Sequence, residues 1–172
     1  MGGIVHRKEK RMNLILWRHA EAEEGHDDLQ RRLTEKGHAQ AQAAARWLRG
    51  YLPEHAEVWA SEALRSQETA AALGLPYRIV PALNPVNAVE KLPALLHSCR
   101  SRDCIVWVGH QPWIGQLCAY LLNRRWTEEP YWSVKKSGIW WFELHFDAEC
   151  RPQAKLKAAV TPQMLPPGQG ET

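Results

Sequence analysis

The chain has 172 residues, of which 45% are hydrophobic and 24% charged, so it is long enough for one folded domain and is not biased towards disorder. Its formal net charge of +3 comes from residues 1–11, because residues 12–172 carry 18 basic and 18 acidic side chains. A nucleic-acid-binding protein needs a basic surface on its folded body, so we expect no nucleic-acid partner.

No apolar run reaches the roughly 18 residues that cross a bilayer, and no apolar segment follows the basic start of the chain. We therefore expect a cytoplasmic protein with no membrane partner, whose four cysteines remain reduced thiols. The cysteines form no CxxC pair and the eight histidines show no ligand spacing, so we expect no metal and no cofactor. The sequence leaves the oligomeric state open, with a monomer as the expectation.

Between a basic N-terminal tail (1–11) and a loose, Pro- and Gly-rich C-terminal tail (161–172), residues 12–160 are predicted to form one domain. Short apolar runs predict strands at residues 13–17, 57–60, 77–80, 104–108, 138–146 and 155–160. Helices are predicted at residues 34–51, 62–73, 87–98 and 112–122. This alternation indicates an α/β fold, a single-domain three-layer sandwich whose mostly parallel sheet has helices on both faces.

Several local features refine these elements. Apolar side chains recur every four residues in the first helix and predict one face formed by Ala39, Ala43, Trp47 and Tyr51. Asn87 and Glu90 have the spacing of a helix cap, and Ser61 is expected to cap the helix that follows it. Trp113 is expected at the rim of a ligand pocket.

Two predicted strands run directly into a histidine. Arg18 and His19 follow the first strand, and His110 follows the strand at 104–108. Arg65 lies one helical turn after Ser61, which ends the strand at 57–60. Because parallel sheets bind ligands at the carboxyl ends of their strands, we expect two imidazoles and two guanidinium groups to share one site.

This set of side chains suits the transfer of a phosphoryl group. A guanidinium presents a planar fork of donors that matches phosphate oxygens. A neutral imidazole close to such cations is a competent nucleophile, because the cations disfavour its protonation. A second imidazole can donate a hydrogen bond to the transferring group, and a helix that begins after His110 adds backbone donors.

The segments around these residues resemble a known family. Arg18-His19-Ala20 resembles the Arg-His-Gly/Ala motif of the histidine phosphatase (phosphoglycerate-mutase-like) superfamily. Residues 61–70 (SEALRSQETA) and 108–112 (VGHQP) are similar to its second and third motifs, and the resemblance extends over about residues 13–160. Residues 28–37 (DLQRRLTEKG) are similar to those of small bacterial phosphohistidine phosphatases of the SixA type.

The resemblance implies a role for each matching residue. His19 would be the nucleophile and would pass through a phosphohistidine intermediate. Arg18, Arg65 and His110 would be catalytic residues that also bind the phosphoryl group.

Two further residues in the matched segments, Arg31 and Gln111, are expected to contribute to substrate binding. Arg32 stands where relatives have proline after the residue that corresponds to Arg31. Asp28 and Arg31 are three residues apart and are expected to form an ion pair that fixes their loop.

The substrate is the least determined part of the prediction. Mutase and phosphomonoesterase relatives carry a carboxylic acid after the third strand, whereas residues 81–86 here contain none and Glu90 is the nearest. An imidazole leaves more easily than an alkoxide, so phosphohistidine on a protein is the favoured substrate, although acidic residues at 21–28 could also supply a proton. The alternatives are a small-molecule phosphomonoesterase and a non-catalytic phospho-ligand-binding protein.

Overall fold

A computed structural model describes residues 10–127 and 132–166 of the chain. The strands are Met12–Arg18 (β1), Glu57–Ala60 (β2), Arg78–Ile79 (β3), Cys104–Gly109 (β4), Ile139–Phe146 (β5) and Pro152–Val160 (β6). The α-helices are Glu35–Arg49 (α1), Leu64–Ala71 (α2), Leu92–Ser98 (α3) and Trp113–Asn123 (α4). The predictions for residues 1–9 and 167–172 of the two tails lie outside the described residues.

The six strands form one sheet in the order β3-β2-β4-β1-β5-β6. β1, β2, β3 and β4 run parallel to one another, β5 pairs antiparallel with β1, and β6 pairs antiparallel with β5. The register pairs Arg18 of β1 with Gly109 of β4, so both strands end at the same level. The predicted α/β fold with a mostly parallel sheet is confirmed.

Helices cover both faces of the sheet. Leu14 and Leu16 of β1 pack in one core together with side chains of α3 and α4, whereas Ile15 and Trp17 pack in a second core with α1 and α2. A strand that is buried on both faces is apolar throughout, which explains the unbroken apolar runs of β1 and β4. The sheet therefore lies between two cores.

The apolar face of α1 differs from the prediction. Tyr51 is 64% exposed and Ala39 is exposed, while Trp47 and Tyr51 contact each other at the flank with ring centroids 5.0 Å apart. The buried residues of the helix are Gly37, Ala41, Ala44, Ala45 and Leu48. These mostly small side chains let the helix approach the sheet closely, which bulky side chains on the same face would prevent.

The predicted cap at Asn87 is also wrong. Its Nδ2 donates to the backbone oxygen of Ala82 at 3.0 Å, and Val89–Lys91 form a separate 3-10 turn with no side-chain cap. The α-helix starts only at Leu92, with Pro93 in its first turn. Proline is favoured there because its fixed φ suits the helix and its missing N–H would have no partner.

Parts of both tails contact the domain. Pro162–Met164, predicted as part of a loose terminus, form a 3-10 turn beside α1, and Pro162 is buried. Arg11 donates from Nη1 to Glu143 Oε1 at 2.6 Å, and Lys10 pairs with Asp103 at 3.6 Å. Among the described residues, no helix is long and apolar enough to span a membrane.

Candidate active site

The first component of the site is His19, directly after β1. Its backbone N–H donates to the Gly109 oxygen at 2.9 Å, which fixes it beside the end of β4. The ring is 9% exposed, and Nδ1 lies 2.7 Å from the Ala20 oxygen. A carbonyl oxygen only accepts, so Nδ1 carries the hydrogen and Nε2 has the lone pair.

The electrostatic surroundings keep His19 neutral. Burial lowers the pKa of His19 to about 3, against the hydrogen bond to Ala20, which raises it. The positive charges of Arg65, Arg18 and Arg31 lower it further, in that order. His19 therefore has an unprotonated Nε2 throughout the neutral pH range, as a nucleophile requires.

His110, after β4, faces His19 with ring centroids 5.0 Å apart and an angle of 50° between the ring planes. It is 2% exposed, and burial, followed by the influence of His19 and the nearby arginines, lowers its pKa to about 2. Its Nδ1 is buried and has no hydrogen-bond partner within residues 10–127 and 132–166. A buried ring nitrogen with no partner is costly in a folded protein and indicates a place for a ligand atom.

Arg65, in the first turn of α2, brings a guanidinium to the same edge and is only 4% exposed. It donates from Nη1 to the Asp28 oxygen at 2.5 Å and from Nη2 to Asp28 Oδ2 at 3.0 Å. Its Nε is buried and finds no partner in the part of the chain that the structure describes. Arg65 therefore has one donor that no described protein group satisfies.

Arg18 is the last residue of β1 and is partly buried. Its Nη1 donates to the Val134 oxygen at 2.9 Å, which joins it to the segment before β5. Its charge lowers the pKa values of both His19 and His110. The structure thus brings together the four residues predicted as catalytic, at the ends of β1 and β4 and the start of α2.

The predicted loop ion pair is present. Arg31 Nη1 lies 3.1 Å from Asp28 Oδ1, and Arg31 Nε donates to the Glu23 oxygen at 2.7 Å. Burial tends to raise the pKa of Asp28, but hydrogen bonds and charges from Arg65 and Arg31 outweigh this effect and lower it. Asp28 is therefore ionised and poorly suited to donate a proton.

The Gln111 side chain forms its hydrogen bonds with backbone groups rather than with the site histidines. Its Nε2 donates to the Trp132 oxygen at 2.9 Å, and its Oε1 accepts from the Gly115 N–H at 2.7 Å. These bonds connect the start of α4 with the segment before β5. The substrate-binding roles of Gln111 and Arg31 stay predictions.

Trp113 is 1% exposed and belongs to the core, so its expected position at a pocket rim is wrong. Its ring occupies the space beside Gly109, where a β-carbon would overlap it. The absence of a side chain at Gly109 thus allows α4 to start close to β4, which places His110 directly between the two elements.

The sequence analysis missed two hydroxyl groups that bind His110. Ser61 Oγ lies 2.7 Å from His110 Nε2 and Ser66 Oγ lies 3.1 Å from the same atom. Ser61 also accepts from the Ala63 N–H at 3.3 Å, although α2 starts at Leu64 rather than at Glu62 as predicted. No sequence pattern distinguishes Ser66 from an ordinary serine in a helix.

Ser137 supports the backbone at His19 and was also missed. Its N–H donates to the His19 oxygen at 3.1 Å, and its Oγ accepts from Trp17 Nε1 at 3.1 Å. Its φ of 57° is uncommon for a residue with a side chain and costs conformational energy. The described residues contain no group of three or more His, Cys, Asp or Glu that could hold a metal ion.

Comparison with known proteins connects this geometry to a family. Residues 14–90 match the model of the histidine phosphatase superfamily (branch 1). The structure of the protein histidine phosphatase SixA complexed with tungstate is 24% identical, with a TM-score of 0.73 over 88% of this chain and 98% of that chain. A putative phosphohistidine phosphatase SixA from Nakamurella multipartitia is 26% identical, with a TM-score of 0.71 over 88% and 96% of the two chains.

The fold is not restricted to one activity. A phosphoserine phosphatase mutant from Entamoeba histolytica, in complex with phosphoserine, is 18% identical, with a TM-score of 0.65 over 88% of this chain and 98% of that chain. A search of curated proteins gave no match. The resemblance predicted from the motifs is confirmed: residues 14–90 match the model of the histidine phosphatase superfamily, and the chain shares its fold with the SixA structures.

Proposed function

We propose that the chain is a metal-independent phosphatase that uses His19 as its nucleophile and removes the phosphoryl group from phosphohistidine on a protein. One observation carries the proposal. Two neutral imidazoles lie 5.0 Å apart beside the buried guanidinium of Arg65, and the unsatisfied nitrogens of this group belong to His110 and Arg65. A tetrahedral anion is the ligand that accepts hydrogen bonds from both.

The reaction has two steps. The lone pair of His19 Nε2 attacks phosphorus, the bond from phosphorus to the substrate nitrogen breaks, and the leaving nitrogen takes up a proton. A water molecule then attacks the phosphohistidine at position 19, which releases inorganic phosphate and regenerates the neutral imidazole. Arg18, Arg65 and His110 stabilise the negative charge on the equatorial oxygens in both steps.

The leaving group determines the preferred substrate class. Residues 81–86 contain no carboxylic acid, and the nearby Asp28 is held ionised by Arg65 and Arg31. Without a positioned acid, an alkoxide leaves slowly, since general acid catalysis typically supplies about 10²–10⁴-fold. An imidazole nitrogen, with a free pKa of about 6.5, is protonated from solvent near neutral pH. Phosphohistidine therefore suits this site better than an alkyl phosphate does.

A phosphomonoesterase is the second candidate, and the position of Glu62 favours it. Asn84, in the segment where ester-cleaving relatives carry an acid, donates from Nδ2 to Glu62 Oε1 at 3.1 Å. Glu62 directly follows Ser61, which contacts His110, and both Glu62 and the acid considered from sequence, Glu90, are exposed. If Glu62 protonates an ester oxygen, Glu62→Gln will lower turnover of phosphate esters by about 10²-fold or more.

Turnover measurements distinguish these functions. We expect release of phosphate from a phosphorylated histidine phosphocarrier protein to be much faster than release from alkyl phosphates, and Glu62→Gln to leave it nearly unchanged. His19→Ala should abolish it, whereas the matched change at the exposed His55 should not. Faster hydrolysis of esters would favour the phosphomonoesterase. Tight binding of phosphate without any turnover would show a non-catalytic binding protein and contradict the proposal.

A further inference from the structure

The second site histidine, His110, has an unusual distribution of contacts around its ring. Both neighbouring hydroxyl groups, Ser61 Oγ at 2.7 Å and Ser66 Oγ at 3.1 Å, approach the same atom, Nε2. Nδ1 is equally buried but has no partner among the residues that the structure describes. All three side chains are at most 2% exposed, so water does not replace these contacts from the surface.

Counting hydrogens decides which nitrogen carries the proton. Burial keeps His110 neutral, and a neutral imidazole has one N–H and one lone pair. If Nε2 has the lone pair, the Ser61 hydroxyl donates to it while the Ser61 oxygen accepts from Ala63 N–H. If Nε2 carried the hydrogen, neither hydroxyl hydrogen would have an acceptor within residues 10–127 and 132–166. The first arrangement satisfies more buried groups and is therefore the stable one.

We propose that Ser61 and Ser66 are positioning residues that hold His110 as the Nδ1–H tautomer, so that Nδ1 is a hydrogen-bond donor to the phosphoryl group. This inference rests on the proposed function for the identity of the ligand. The two serines lie at the end of β2 and in the first turns of α2, on either side of Arg65 in sequence. One short segment thus supplies both the guanidinium and the groups that orient the proton on the second imidazole.

The tautomer determines whether Nδ1 attracts or repels a phosphoryl oxygen of the substrate. Nδ1–H presents positive charge to a phosphoryl oxygen, whereas a lone pair on Nδ1 would repel the same oxygen. The site is buried, so an unfavourable contact of this kind is only weakly screened. His110 therefore helps to stabilise the transferring group only if the serine hydroxyls maintain the tautomer.

Nitrogen NMR of the full-length protein, free of phosphate, tests the tautomer directly. Selective ¹⁵N-histidine spectra report which ring nitrogen carries the hydrogen, and His110→Gln assigns the signals. We expect Nδ1–H in the unmodified protein and a shift towards Nε2–H when Ser61→Ala and Ser66→Ala are combined. Nε2–H in the unmodified protein would overturn the inference, as would an unchanged tautomer in a folded double variant. If the double variant does not fold, Ser61→Ala alone removes the hydroxyl that donates to Nε2 and should show the shift, and an unchanged tautomer in it would overturn the inference.

Phosphate binding supplies the second readout, with Ser98→Ala as the matched control. Ser98 is on α3, its hydroxyl donates to Leu95, and it has no contact with His110. We expect the double variant to bind inorganic phosphate about tenfold more weakly and the control to match the unmodified protein. Equal phosphate affinity in all three proteins would overturn the donor role. Failure of the proposed function would appear instead as absent turnover in the unmodified protein, whatever its tautomer.

Discussion

An arginine lies at each end of the parallel strands, and the two differ in exposure and in hydrogen-bond partners. At the amino ends of β2 and β4, Arg102 has a side chain 34% exposed, and its Nε lies 2.8 Å from Glu57 Oε2. Its guanidinium also lies over the Trp59 ring at 5.9 Å. At the carboxyl ends, Arg65 is 4% exposed and its Nε has no partner among the described residues. Both are arginines near β2, yet only one is buried with an unused donor.

The two arginines differ in what they contribute to the free energy of folding. A partly exposed ion pair at the surface, such as that of Arg102 with Glu57, typically contributes only about 0–1 kcal/mol. A buried donor without a partner costs about 1–3 kcal/mol, which folding alone does not favour. The carboxyl-end edge therefore carries a cost that a bound anion would remove, and the amino-end edge does not.

The largest expected effect in this comparison is the loss of activity in Arg65→Ala, with Arg102→Ala as its control. Arg65→Ala should lower kcat/KM by about 10²–10³-fold, because it removes donors that stabilise charge in the transition state. Arg102→Ala should leave kcat/KM within about twofold of the unmodified value, since Arg102 lies at the opposite ends of the strands from the site and its ion pair is partly exposed. Steady-state kinetics of both variants check the comparison. Similar losses for the two would mean that the carboxyl-end edge has no special role.

A smaller effect is expected from packing at the same edge. In Gly109→Ala the new β-carbon would overlap the Trp113 ring, so we expect a loss of about 1–3 kcal/mol in the free energy of unfolding and reduced activity through His110. Gly50→Ala is the matched control, because its nearest atom, the Trp47 oxygen, is at 3.4 Å and its φ of −69° suits alanine. Denaturant unfolding measures both. If Gly109→Ala is as stable as the control, the packing argument is wrong.

The next expected effect is a dependence of stability on pH, which is small for each step of pH near neutrality. Folding lowers the pKa of His110 to about 2 and that of His19 to about 3, so below the usual value of about 6.5 the unfolded chain binds protons that the folded one does not. Stability is therefore complete above pH 6.5 and falls as the pH decreases towards 3, by up to about 1.4 kcal/mol per pH unit for each histidine.

His110→Gln isolates one of these contributions. Between pH 6 and 5, we expect the slope of the unfolding free energy against pH to decrease by about 1.4 kcal/mol per unit relative to the unmodified protein. Urea unfolding at several pH values gives both slopes. Parallel curves would indicate that His110 is protonated in the folded protein and would contradict its assignment as a neutral donor.

The sequence was sufficient to locate the centre of the site. His19 and His110 each follow an apolar run, and parallel pairing of those runs in register brings their ends together. Arg65 follows from the same rule, because it lies one turn beyond the end of β2. These predictions depended only on strand positions, which unbroken apolar segments define well.

The details that failed depend on close packing. The apolar face of α1 was predicted at Ala39, Ala43, Trp47 and Tyr51, but the buried residues of the helix are Gly37, Ala41, Ala44, Ala45 and Leu48. Trp113 is buried because Gly109 leaves room for its ring. The hydroxyls of Ser61, after β2, and Ser66, on α2, reach the same nitrogen of His110 through the packing of both elements against β4. Spacing along the chain contains none of this information.

Rapid-quench labelling tests the central claim most directly, namely that His19 receives the phosphoryl group between His110 and the two site arginines. The protein is mixed with a substrate protein that carries ³²P-phosphohistidine, and the reaction is quenched. The two proteins are then separated by mass, and the phosphatase is digested. The account predicts an acid-labile, base-stable label on the peptide that contains His19, and no label in His19→Ala. Label at another residue, or its persistence in His19→Ala, would contradict the account.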